Sequence, residues 1–114
     1  MRALLIGSSL FLLGQSLIWI QTNGQFVWPW FKKNPIPISI VFGSVISYIL
    51  IYATRFVVEY FDGMLWPSRF IGFATGIVSF AALTYIFLGE GITLKTGVSL
   101  GLAIALILIQ LFWK

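Results

Sequence analysis

The chain has 114 residues, 60% hydrophobic and 9% charged, with seven basic residues, three acidic residues and no cysteine or histidine. So small a polar fraction cannot clothe a soluble surface, and lipid must solvate most outward side chains. The missing cysteine and histidine exclude disulfides, thiolate or imidazole metal sites, histidine-ligated haem and Cys/His nucleophile pairs.

Four apolar stretches follow one another, Ala3–Ile20, Pro37–Val57, Phe70–Leu88 and Leu94–Trp113. Each approaches the ~20 residues that cross a hydrocarbon core about 30 Å thick. The expected fold is an all-α integral membrane bundle of four transmembrane helices. It forms one domain, 1–114, because the spans leave no length for a separate soluble unit. The first stretch follows Arg2 as the apolar core of a signal peptide would. No small-x-small cleavage site closes it before Trp19, so it reads as a retained helix.

Within that helix Gln15 stands between Gly14 and Ser16. A buried amide in a membrane needs a hydrogen-bond partner, which a neighbouring helix, cavity water or a substrate could supply. The first connection carries Phe26, Trp28, Trp30 and Phe31 ahead of Lys32 and Lys33, an interfacial aromatic belt with a cationic stop. Pro35 and Pro37 then favour the first turn of the second helix. Ser44, Tyr48 and Tyr52 share one face of that helix, a polar and aromatic wall or ordinary packing. Arg55 and Glu59, one turn apart near its end, suit either a snorkelling interfacial pair or the mouth of a polar vestibule.

Asp62-Gly63 makes a short second turn, and Pro67 or Ser68 can start the third helix, whose Gly72, Gly76 and Ser79 lie on nearly one face. A tight Gly89-Glu90-Gly91 turn leads to the fourth, where Gly97, Gly101 and Ala105 recur at intervals of four. Such stripes let backbones approach closely in lipid, either within the chain or as a homodimer seam. Short connections imply an up-down-up-down path with both termini on one side. Arg2, Arg55, Arg69 and Lys114 on that side nearly balance Lys32, Lys33 and Lys95 on the other. The positive-inside rule therefore gives only a faint preference for cytoplasmic termini, and insertion in both orientations stays open.

The basic residues are scattered at helix ends, which fits headgroup anchoring to the lipid bilayer and not the clustered face that nucleic acid requires. Three acids without a pairing within a span make no metal cage, and no serine has a base beside it, so neither an enzyme nor a metal or other cofactor is expected.

The segment Tyr85-Ile86-Phe87-Leu88-Gly89-Glu90-Gly91-Ile92-Thr93-Leu94-Lys95-Thr96-Gly97 with the apolar run to Trp113 resembles the helix–turn–helix that closes each repeat of the drug/metabolite transporter superfamily. The total length, the four spans and Trp28-Pro29 after the first helix resemble its small multidrug resistance branch. The resemblance implies a homodimeric small-molecule transporter of a bacterial inner membrane. Helices one to three would line a central cavity and the fourth helices would pair through Gly97, Gly101 and Ala105. The substrate-facing residues would be Gln15, Trp19, Ser44, Tyr48 and Tyr52, with Arg55 and Glu59 at the mouth. The branch carries a proton-exchanging glutamate where this chain has Gln15, and Arg69 and Gly72 stand near the place of its aromatic pair. Proton-for-cation exchange by that route is therefore not expected. The rival expectation is a non-transporting accessory subunit of a larger membrane complex.

Overall fold

The computed structural model describes residues 1–113, so Lys114, counted above among the basic residues, lies outside the described residues. The helices are α1 (Arg2–Asn23), α2 (Pro29–Lys33), α3 (Pro35–Tyr60), α4 (Trp66–Leu88) and α5 (Leu94–Phe112), with a single 3-10 turn at Gly24–Phe26. All but α2 are long and apolar enough to cross a membrane, and the chain is an integral membrane protein.

Local chemistry sets the boundaries. Proline sits in the first turn of α2, α3 and α4, where its missing N–H costs nothing and its fixed φ is already helical. Gly89 ends α4 in the left-handed region at φ 69°, its N–H bonded to the Tyr85 carbonyl, a conformation that a Cβ would strain. Thr93 opens α5 by accepting a hydrogen bond from the Thr96 amide at 3.3 Å.

Helix α1 lies between α3 and α4. It runs antiparallel to α3. Gly7 meets Ala53 and Val57 while Gly14 meets Leu50, and a Cβ on Gly7 would fall 2.5 Å from Val57 Cγ2 and 3.1 Å from the Ala53 carbonyl oxygen. It runs parallel to α4, since Phe11 covers Gly72 and Trp19 reaches Thr84. Phe11, Ala53, Val57 and Ile71 form the buried centre of these three helices. Helix α5 leans on α4 and contains no buried residue.

Candidate binding groove

The seam between α1 and α4 is built from small and hydroxyl-bearing residues. A Cβ on Gly76 would lie 3.0 Å from Gln15 Oε1, so the glycine makes room for the amide to rest against α4. The Ser16 and Ser79 hydroxyls lie 3.4 Å apart, and Ser79 also donates to the Thr75 carbonyl at 2.8 Å. Trp19 Nε1–H donates to Thr84 Oγ1 at 2.9 Å, a buried bond joining residues distant in sequence. In lipid such bonds are worth about 0.6 kcal/mol on average, so this seam gains its strength from several together.

Beside the seam runs a groove of about 900 Å³. Helix α4 lines it with Gly72, Phe73, Gly76 and Phe80, α1 with Phe11 and Gln15, α3 with Leu50 and Thr54, and α5 with Thr96 and Leu100. Arg69 and Glu90 mark its two ends. Phe73 and Phe80 remain exposed, so the groove is open along one side. Beyond the Thr84 end, rings stack in series: Trp19 on Phe87 at 5.7 Å, Trp28 against Phe87 at 5.5 Å, and Phe31 between Trp28 and Phe42 at 5.3 and 5.9 Å. This cluster ties the first connection to the ends of α1, α3 and α4, and offset or edge-on ring pairs of this kind add about 0.5–1.5 kcal/mol each.

Of the residues expected to face a cavity, Gln15 lines the groove. Trp19 does not: only 2% exposed, it is held in the seam by Thr84 and Phe87. Ser44, Tyr48, Tyr52, Arg55 and Glu59 follow the side of α3 turned away from its buried residues Ile46, Ala53 and Val57. There Ser44 bonds back to the Ile40 carbonyl at 2.7 Å, the two tyrosine rings lie 5.1 Å apart, and the Arg55 guanidinium sits 4.7 Å from the Tyr52 centroid. The structure thus separates this outward stripe from the groove, which receives Leu50 and Thr54 of α3 instead.

Gly97, Gly101 and Ala105 are exposed, and a Cβ on Gly101 would meet nothing within 4 Å. Gly72, Gly76 and Ser79 have the opposite fate, each filled or bonded by α1. The groove residues that sequence reasoning passed over are Thr54, Ser68 and Thr84. A hydroxyl inside an apolar helix commonly bonds its own backbone, so sequence alone does not show which of them turns toward a neighbour. Among the described residues no acidic group of three gathers as metal ligands would. No family model matches the chain, and neither the curated proteins nor the solved structures offer a match.

Proposed function

We propose that this chain is a small-molecule transporter of the drug/metabolite type, passing the bilayer up-down-up-down in a bacterial inner membrane and working as a homodimer. The observation that supports this best is the open groove itself, which is lined by Gln15 and Thr54 from two helices long and apolar enough to cross a membrane. Polar groups there are costly unless they meet protein, water or a ligand. In this reading α1, α3 and α4 supply half of a cavity that a second copy completes, and the α5 helices pair through Gly97, Gly101 and Ala105. The outward stripe of Ser44, Tyr48 and Tyr52, with Arg55 and Glu59, lies outside this groove, so in this reading it contributes to substrate binding only if a second copy packs against that side of α3.

Gln15 cannot titrate, so proton exchange on α1 is not part of this mechanism. Any coupling to protons falls to Glu59, Asp62 or Glu90. Proteoliposomes loaded with a mixed panel of small molecules test the proposal, with solute loss read by mass spectrometry. Transported solutes leave vesicles holding the parent protein and stay in vesicles holding Gln15→Leu. A panel retained equally by both contradicts transport through this groove. The unburied apolar surface of α5 favours one second reading, an accessory subunit seated on a larger complex. A protein that stays monomeric in mild detergent and in lipid supports that reading over the homodimer.

A further inference from the structure

Charge is distributed unevenly along the groove. Among its described lining residues only Arg69 and Glu90 are charged. Arg69 lies in the first turn of α4 and Glu90 just beyond its C-terminal end, so the two stand at opposite ends of a 23-residue helix about 35 Å long. That length exceeds a hydrocarbon core of roughly 30 Å, which puts both charges at the level of the membrane surfaces and none between them.

Between the charged ends Phe11, Phe73, Ile77 and Phe80 make an apolar, aromatic bed that neutral polar groups interrupt. The foremost is Gln15. Its amide rests against Gly76 at the middle of α4, and the side chain is only half-buried, so part of it stays open to the groove. Thr54 adds a hydroxyl from α3. A glutamine amide both donates and accepts hydrogen bonds, so it can pair with a ligand's hydroxyl, carbonyl or amide, but it brings no charge with which to neutralise an ion.

A charge carried to this depth is costly unless an opposite charge meets it. A cation would find the faces of Phe73 and Phe80, weaker cation acceptors than tryptophan, and no carboxylate short of the Glu90 end. An anion would find only Arg69, at the other end. A second copy laid groove to groove across a two-fold axis presents the same residues again, so pairing adds no charge to the middle. The volume of about 900 Å³ suits a drug-sized molecule.

We propose that the groove takes uncharged, membrane-soluble aromatic compounds that carry one hydrogen-bonding group, with that group at the Gln15 amide and the rings on Phe73 and Phe80. The inference rests on the reading of this groove as a substrate site and names the class of substrate.

The test uses the full chain in phosphatidylcholine nanodiscs and four pyrene probes: 1-pyrenebutanol, 1-pyrenebutyrate, a pyrenebutyl-trimethylammonium salt and 1-butylpyrene. Binding is read as energy transfer from the protein's tryptophans, one of which, Trp66, lines the groove, after subtraction of uptake by protein-free nanodiscs. The alcohol binds more tightly than either ion by about tenfold or more, because neither ion meets a counter-charge beside the bed. It also binds about fivefold more tightly than 1-butylpyrene, the size of one ordinary hydrogen bond. Gln15→Leu removes that advantage and leaves 1-butylpyrene bound as before, which shows the groove intact. Equal or tighter binding of the cation or the anion, no binding of the alcohol, or an advantage of the alcohol that survives Gln15→Leu overturns the proposal. So does a parallel loss of the alcohol and 1-butylpyrene in a variant whose helical circular dichroism is unchanged, since Gln15 would then shape the groove without reading a polar group. Binding of the alcohol by a protein that moves no solute leaves the inference standing and removes the transporter. Gln15-dependent movement of a charged solute together with preferred binding of an ionic probe does the reverse.

Discussion

Helices α1 and α5 are nearly equal in mean hydropathy, 1.8 and 1.9, yet 22% of the first span's apolar window is buried and only 6% of α5's. Apolarity places both in a membrane and says nothing about which lies at the centre. The difference arises from their small and polar residues. On α1, Gly7 and Gly14 admit α3, while Gln15, Ser16 and Trp19 each meet α4. On α5, Gly97, Gly101 and Ala105 also share one side of the helix, at intervals of four where Gly7 and Gly14 are seven apart, and all three are exposed. In lipid, where apolar surface alone drives no association, close approach and hydrogen bonds decide which helices join. Small residues on one helix side therefore serve folding in α1 and remain open in α5.

The strongest challenge to this contrast is Gly7→Leu. Its Cβ would meet both the Val57 side chain and the α3 backbone, and the backbone cannot move aside cheaply. The expected loss is about 3 kcal/mol, the upper part of the range for overpacking, read from detergent-induced unfolding in lipid–detergent mixtures. A stability unchanged from the parent would show that α1 and α3 are not so closely joined. Trp19→Phe comes next, since it keeps a ring beside Phe87 while removing the donor to Thr84. It should cost about 1 kcal/mol, and a double-mutant cycle with Thr84→Val should return most of that as coupling. Zero coupling would remove the bond from the account of the seam.

Gly101→Leu has the smallest expected effect on folding, within about 0.5 kcal/mol, because its added side chain enters open space. The same variant should weaken self-association, measured as the monomer–dimer equilibrium by energy transfer between labelled copies in liposomes. Destabilised folding with an unaltered dimer would reverse the roles given to the two helices.

The four spans could be read directly from hydropathy, although each helix except α5 begins earlier or ends later than its apolar run. Arg2, the Pro35-Ile36 step and Trp66–Arg69 join helices because polar and proline residues are tolerated where the first turn leaves the hydrocarbon. The short helix α2 was not visible, since Pro29 starts a turn inside what reads as an aromatic loop. Gln15 stood out because an amide interrupts an apolar run. The partnership of Trp19 with Thr84 did not, because the two lie 65 positions apart and either residue alone fits lipid or packing. Gly72 and Gly97 look alike in sequence for the same reason. Only the neighbour that fills a glycine's notch distinguishes them, and that neighbour comes from another helix.

Whether the groove is wet bears most directly on its use as a binding site, and the absence of native cysteine makes the question simple to ask. Gln15→Cys, in protein shown to be folded in lipid, is exposed to a membrane-impermeant thiol reagent from each side in turn. The account predicts efficient labelling from at least one side, because the groove carries water to the Gln15 position. Complete protection from both sides would place Gln15 in a dry bundle and contradict the transporter reading.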